Sequence, residues 1–180
     1  MKNIILFSIS CITSLSCHKE KLGIYEAGAM TYGKAEAKIN GKCWEASAIG
    51  EKNESLPNPY FGIIAGTNTE EGFEREGLYI SEIPLQIGHF PVEKNVLPPA
   101  NNYVGASFYV NKDDGDILEA YYELDDSEED NSVTVDELDL EANIVKGTFD
   151  LTFLLKDGYS DKYPKKVKLK NGVFEVKLVE

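Results

Sequence analysis

The sequence predicts an all-β fold, which we expect to be a two-layer antiparallel β-sandwich, with a lipocalin-like closed barrel as the alternative. Short runs rich in β-branched and aromatic residues recur between turn residues along most of the chain. Two Asn-Gly pairs each lie between runs in which apolar and polar residues alternate. No segment shows the long 3.6-residue period of an amphipathic helix. Together these observations favour stacked or closed antiparallel strands.

The first 16 residues have the pattern of a cleaved leader. Lys2 supplies a positive start, and residues 4–15 form an uncharged, mostly apolar run. Such a run matches the apolar region of a signal peptide. It is too short to cross a bilayer, which needs about 20 apolar residues. We therefore predict a signal peptide over residues 1-16.

Cys17 stands where the apolar run ends. Residues 14–17 (Ser-Leu-Ser-Cys) are followed directly by the charged stretch His-Lys-Glu-Lys. This junction resembles a bacterial lipobox, with Ser14 in place of the usual Leu, a substitution tolerated in lipoproteins of the Bacteroidota type. The resemblance implies cleavage before Cys17 and acylation of its thiol, with chains such as palmitate. The alternative is an ordinary secretory peptide in which Cys17 has no special role.

Lipidation at Cys17 would hold the protein on a membrane, because two or three acyl chains anchor a protein where one does not. We expect a cell-envelope location at the outer membrane, with the periplasmic face and the cell surface both open. Residues 17-30 are predicted to be a tether and residues 31-180 a single domain. Cys11 would leave with the leader, and Cys43 would be the remaining thiol. We therefore expect no disulfide framework.

The charge of the chain limits its partners. The 31 acidic and 18 basic residues give a net charge of -13. Such a field opposes nucleic acid and anionic membrane surfaces, so we expect no nucleic-acid partner. The membrane contact that remains is the lipid anchor, and the oligomeric state stays open.

The first strand pair is predicted around the turn Asn40-Gly41. An Asn-Gly pair suits a type I′ turn, because both of its central residues need positive φ. A two-residue turn sets Ala37 opposite Trp44 and Ala35 opposite Ala46. The apolar residues of both strands then share one face, and Cys43 falls on the polar face.

Further strands follow along the chain. The runs rich in β-forming residues are 61–67, 78–83, 104–110, 117–124, 132–138 and 145–155. Residues 113–115 (Asp-Asp-Gly) make a plausible hairpin loop between two of these runs. The last run alternates regularly, so we expect Phe149, Leu151 and Phe153 to point inward.

A second hairpin is predicted at Asn171-Gly172. By the same turn rule, Leu169 would face Phe174 and Val167 would face Val176. Lys168 would meet Glu175 on the outside as an opposite-charge pair.

Several of these motifs together resemble a family of small Bacteroidota lipoprotein domains of unknown function. The resemblance covers residues 30–180, and its motifs are turns and core aromatic residues. They are Asn40-Gly41-Lys42 with Trp44, Gly88-His89-Phe90 with Val92, Gly147-Thr148-Phe149, and Asn171-Gly172 with Phe174. The resemblance implies a β-sandwich on a lipid anchor and no catalytic residues.

We expect no catalytic residue, no cofactor and no bound metal. A Ser-His-Asp triad would have to use His89, and no Gly-x-Ser-x-Gly motif accompanies it. Cys43 has no identifiable base beside it, and one His with one Cys does not make a zinc site. The acidic runs 113–116 and 125–131 are rich in calcium-preferring oxygen ligands. They lack the spacing of a calcium loop, so solvated turns are the favoured interpretation over a calcium site.

The outer face of the strand pair 104–124 is the predicted binding surface. If the even-numbered residues face the core, then the outside is shared by Ser107, Tyr109, Glu119, Tyr121 and Glu123. Tyrosines beside carboxylates and hydroxyls can stack on a sugar or anchor a protein. The alternative is that tyrosine is simply a good strand residue.

Three functions remain from the sequence. The first is a lipid-anchored, non-catalytic binding or accessory module for a glycan, a peptide or another envelope protein. The second is a purely structural envelope component. The third, a distant alternative, is a hydrolase with unrecognised paired carboxylates.

Overall fold

The structure is a computed structural model that describes residues 33–53, 59–94, 103–158 and 161–179. The described residues form ten strands and no helix, so the predicted all-β class is confirmed. The strands are β1 (Gly33–Ile39), β2 (Lys42–Asn53), β3 (Tyr60–Asn68), β4 (Glu74–Pro84), β5 (Gly88–Glu93), β6 (Val104–Asn111), β7 (Leu118–Leu124), β8 (Ser132–Asp139), β9 (Ile144–Gly158) and β10 (Lys166–Val179).

The predicted signal peptide (1-16), the tether (17-30) and Cys17 lie outside the described residues, and they stay predictions. Among the described segments, none is a helix of the length and apolarity needed to cross a membrane.

All ten strands belong to one sheet, and the sheet closes on itself. Eight strands pair antiparallel in the ring β1–β2–β3–β4–β6–β7–β9–β10, and β10 pairs back with β1. The long strand β9 pairs with β8 through its first half and with β7 through its second half. β5 links β8 to β6. This pairing corresponds to the closed alternative of the two predicted arrangements.

Alternation along the strands places a single apolar core inside the sheet. The predicted register of the first hairpin is confirmed, since Ala37 pairs with Trp44 and Ala35 pairs with Ala46. The indole of Trp44 is buried, and its Nε1 donates to Glu76 Oε2 at 3.1 Å. A buried donor is thus satisfied, while small alanines leave room for the ring.

The second predicted hairpin is wrong. Asn171-Gly172 lies within the continuous strand β10, which runs between β9 and β1. The register shifts between Leu169 and Gly172, as in a β-bulge. Asn171 has φ 53°, and its N–H donates to Asp150 Oδ1 at 2.8 Å. Pairing with β9 on one side and β1 on the other outweighs the local preference for a reverse turn.

One strand was not predicted from the sequence. β5 is short, and it contains Pro91, which has no N–H for a ladder. Its pairing with β8 sets His89 opposite Thr134.

Candidate functional site

The outer face of β6 and β7 has the composition predicted from the sequence. On β6, Ala106, Phe108 and Val110 are buried; on β7, Ala120 and Tyr122 are buried. Alternation then turns the side chains between them outward. The even-numbered core positions expected from the sequence are therefore confirmed on both strands.

Strand pairing brings tyrosines of three strands together on this outer face. Tyr109 on β6 lies opposite Tyr121 on β7, and Gly77 on β4 lies opposite Tyr109 on its other side. One pair further along, Ser107 is flanked by Tyr79 of β4 and Glu123 of β7. We call this surface the tyrosine face and define it as Tyr79, Ser107, Tyr109, Tyr121 and Glu123.

The Tyr109 ring lies flat over the backbone of Gly77. A Cβ added at Gly77 would stand 2.1 Å from Tyr109 Cζ, 2.4 Å from its hydroxyl oxygen and 2.5 Å from Cε1. A point that is nearest to Cζ and about equally far from two of its three bonded neighbours lies above the ring, not at its edge. One ring face therefore packs on glycine, and the opposite face points away from the sheet.

Hydrogen bonding and burial hold the tyrosines of this face in place. The Tyr109 hydroxyl donates to Glu74 Oε1 at 2.9 Å. Burial, with a further contribution from Glu74, raises the pKa of Tyr109 to about 12. Burial also raises the pKa of Tyr79, whose ring approaches Gly62. These phenols stay protonated at physiological pH and act as neutral surfaces.

Glu119 lies at one end of the tyrosine face and is fully engaged. Its carboxylate accepts from Lys162 Nζ at 2.9 Å, from Arg75 Nη1 at 3.5 Å and from the Tyr163 hydroxyl. The hydrogen bond from Tyr163, followed by that from Lys162, lowers the pKa of Glu119. The predicted ligand-facing role for Glu119 stays a prediction, and its visible role is to tie β7 to the segment before β10.

Glu123 is an ion-paired carboxylate of the same face. Lys94 and Lys156 each bring Nζ to 3.0 Å from its oxygens. Hydrogen bonds from Lys94 and then Lys156 lower the pKa of Glu123. The negative charges of the face are therefore matched by cations at its border.

The second acidic run (125–131) is latched to β10 by lysine. Lys166 Nζ lies 2.8 Å from Asp125 Oδ2 and 2.9 Å from Glu128 Oε1. The bond from Lys166, with help from Ser127, lowers the pKa of Asp125 to about 2. Asn131 is buried and spans the loop. We call Asp125, Glu128, Asn131 and Lys166 the loop latch.

The sequence left calcium binding as the alternative interpretation of the acidic run 125–131. In the structure, lysine supplies the positive charge beside this run. Among the described residues, no group of three or more His, Cys, Asp and Glu is placed to hold a metal.

His89 is exposed on β5, and its Nδ1 lies 2.9 Å from Thr134 Oγ1. It lines an open polar depression of about 470 Å³ together with Asp130, Asp150 and Lys170.

The prediction for Cys43 is wrong. Cys43 lies on the outer face of β2, as expected, but it is disulfide-bonded and not a free thiol. A cysteine in a disulfide carries no nucleophile.

Comparisons of the chain with known protein families, with curated proteins and with solved structures found no match. The resemblance to small Bacteroidota lipoprotein domains thus stays a prediction from the sequence motifs.

Proposed function

We propose that this chain is a lipid-anchored envelope protein whose folded part is a non-catalytic binding module. The tyrosine face is its binding surface. The observation that carries this proposal is the Tyr109 ring lying flat over Gly77 and directly opposite Tyr121, with both tyrosines partly exposed on the outside of the sheet. Tyrosine supplies rigid contact area at low entropic cost, as binding surfaces require.

The titration behaviour of the carboxyl groups supports a module without catalysis. Among the described residues, every carboxyl with a shifted pKa is shifted downward, and a cation contributes each time. A catalytic carboxylic acid needs the opposite shift, because it must hold its proton near neutral pH. These carboxylates behave as structural ion-pair partners.

The anchor is tested by feeding cells an alkyne-tagged fatty acid and comparing the wild type with Cys17→Ala. We expect label in the wild-type band alone, with the variant released from the membrane. Protease treatment of intact cells then reports which side of the outer membrane the domain occupies. Equal labelling of both proteins would contradict the anchor.

The disulfide of Cys43 gives an independent check of the anchor. The other two cysteines of the sequence are Cys11, which would leave with the leader, and Cys17, which would carry the acyl chains. Acylation at Cys17 and a disulfide within the mature chain therefore exclude one another. The membrane form is denatured and alkylated with and without prior reduction; a monomeric chain in which Cys43 is modified only after reduction would argue against acylation at Cys17.

Binding at the tyrosine face is tested with a photoreactive amino acid at position 121 in intact cells. The control position is 173, because Val173 is 45% exposed on β10, away from this face. We expect adducts from position 121 and none from position 173. Absent adducts, or equal adducts from both positions, would favour the purely structural envelope component.

A further inference from the structure

We infer that the tyrosine face binds a neutral glycan chain, with pyranose rings stacked on Tyr109 and Tyr121. This inference rests on the proposed function and names its ligand class. Its evidence is the orientation of the Tyr109 ring, the position of Tyr121 opposite it, the charges that border them and the pairing of the strands beneath.

The arrangement of the rings suits stacking by sugars. Directly opposed side chains have Cβ atoms about 5 Å apart, and diagonal neighbours lie about 7–8 Å apart. Tyr109 and Tyr121 are directly opposed, and Tyr79 is diagonal to Tyr109. A flat ring offers its electron-rich face, which attracts the C–H groups on one side of a pyranose.

Polar groups beside the rings suit the hydroxyls at the edge of a sugar. Ser107 lies between Tyr79 and Glu123, next to the Tyr109–Tyr121 pair. The Glu123 carboxylate has lone pairs beyond those used by its lysines, and the Ser107 hydroxyl both donates and accepts. Hydrogen-bonding groups therefore lie in the row of side chains next to the two stacking tyrosines.

The charges favour a neutral ligand. Lys94, Lys156 and Lys162, the lysines at the border, are each already paired with Glu119 or Glu123. An anionic glycan would meet a chain of net charge -13 and would have to break these pairs.

Strand pairing disfavours an extended peptide as the ligand. Peptides that bind sheets add a strand to a free edge. β4 pairs with β3 and β6, β6 pairs with β4 and β7, and β7 pairs with β6 and β9. The backbone under the tyrosine face thus has no free edge to offer.

The test uses the full chain in detergent and neutral hexasaccharides of β-linked glucose, mannose, xylose and N-acetylglucosamine, with oligogalacturonate as the anionic counterpart. We expect calorimetry to detect binding of at least one neutral oligosaccharide and no binding of oligogalacturonate. Tyr121→Ala should weaken binding about tenfold or more, whereas Tyr121→Phe, which keeps the ring, should change it by less than about twofold.

Gly77→Ala is the sharpest variant, because it removes no aromatic group. Its Cβ would occupy the space of the Tyr109 ring, so the ring must leave the backbone. We expect a loss of binding like that of Tyr121→Ala. Val173→Ala, away from this face, should bind like the wild type. If Gly77→Ala does not fold, Tyr121→Ala and Tyr121→Phe still decide the matter.

Three outcomes would overturn the inference. They are no binding of any of the four neutral oligosaccharides, tighter binding of oligogalacturonate, or binding that survives both Tyr121→Ala and Gly77→Ala. If position 121 forms adducts with a protein and no oligosaccharide binds, the glycan inference is rejected and the proposed binding module is retained. Missing adducts would reject the module itself.

Discussion

The loop latch and the tyrosine face hold polar groups in opposite ways. In the latch, Asp125 and Asn131 are buried, and each has partners within the chain. On the tyrosine face, Tyr109 is packed against Gly77 on one side, and its side chain stays partly exposed on the outside of the sheet. Satisfied buried groups stabilise a fold, whereas an open, preorganised surface is available to a ligand. We therefore expect latch variants to change stability and face variants to change binding.

The largest effect on stability is expected for Asn131→Ala. Its side chain donates to the Asp125 carbonyl at 2.8 Å and accepts from Thr152 N–H at 2.7 Å. Removing it leaves buried groups unpaired, which should lower the free energy of unfolding by about 3 kcal/mol. Urea unfolding measures this loss. The exposed neighbour Asp130→Ala should cost less than about 0.5 kcal/mol; equal losses would contradict the latch.

Asp125→Asn should cost about 2 kcal/mol at neutral pH, because it removes a buried, hydrogen-bonded charge. The pKa of Asp125 is about 2 in the folded chain, against an ordinary 3.8. The wild type should therefore keep this stabilisation above about pH 4 and lose it as the pH falls towards 2. Unfolding curves of both proteins across this range should converge at the acid end. A constant difference would show that the charge is not responsible.

Lys166→Met should cost less stability than Asp125→Asn, because the lysine side chain is 38% exposed and water screens its pairs. Added salt should shrink this cost in thermal unfolding. Lys168→Met is the control, since Lys168 reaches only Glu128, at 3.6 Å. If Lys168→Met lowers the stability as much as Lys166→Met, then Lys166 is not the main cation of the loop latch.

The smallest effect on stability is expected for Tyr121→Ala, below about 1 kcal/mol, since its side chain is only half-buried. The same variant should weaken oligosaccharide binding at the face about tenfold or more. Asn131→Ala, at a temperature where it is folded, should bind like the wild type. If the latch variant loses binding and the face variant loses stability, the division between the two regions is wrong.

The two Asn-Gly pairs show what the local sequence can and cannot predict about a turn. At the first pair, Asn40 and Gly41 both have positive φ, 49° and 86°, and the predicted hairpin forms. At the second, only Asn171 has positive φ, and Gly172 lies where a Cβ would strike the Phe149 ring at 2.4 Å. The first glycine is required by its backbone angle and the second by space in the core. Sequence alone does not distinguish these reasons.

The candidate site was partly predictable. Period-two alternation placed Ser107, Tyr109 and Tyr121 together, because one short loop joins their strands. Tyr79 and Gly77 were missed, although alternation around buried Leu78 turns both outward. Their place beside Tyr109 depends on the pairing of β4 with β6, which are joined through β5 and a long connection. No local signal specifies that pairing.

The sequence by itself determined the strand content and most inward-facing residues, because successive side chains of a strand point to opposite sides. Only the tertiary structure decided that the sheet closes, that Tyr109 rests on Gly77 and that Lys166 meets Asp125. These contacts join residues far apart in the chain, and their selection depends on how all ten strands bury their apolar faces together.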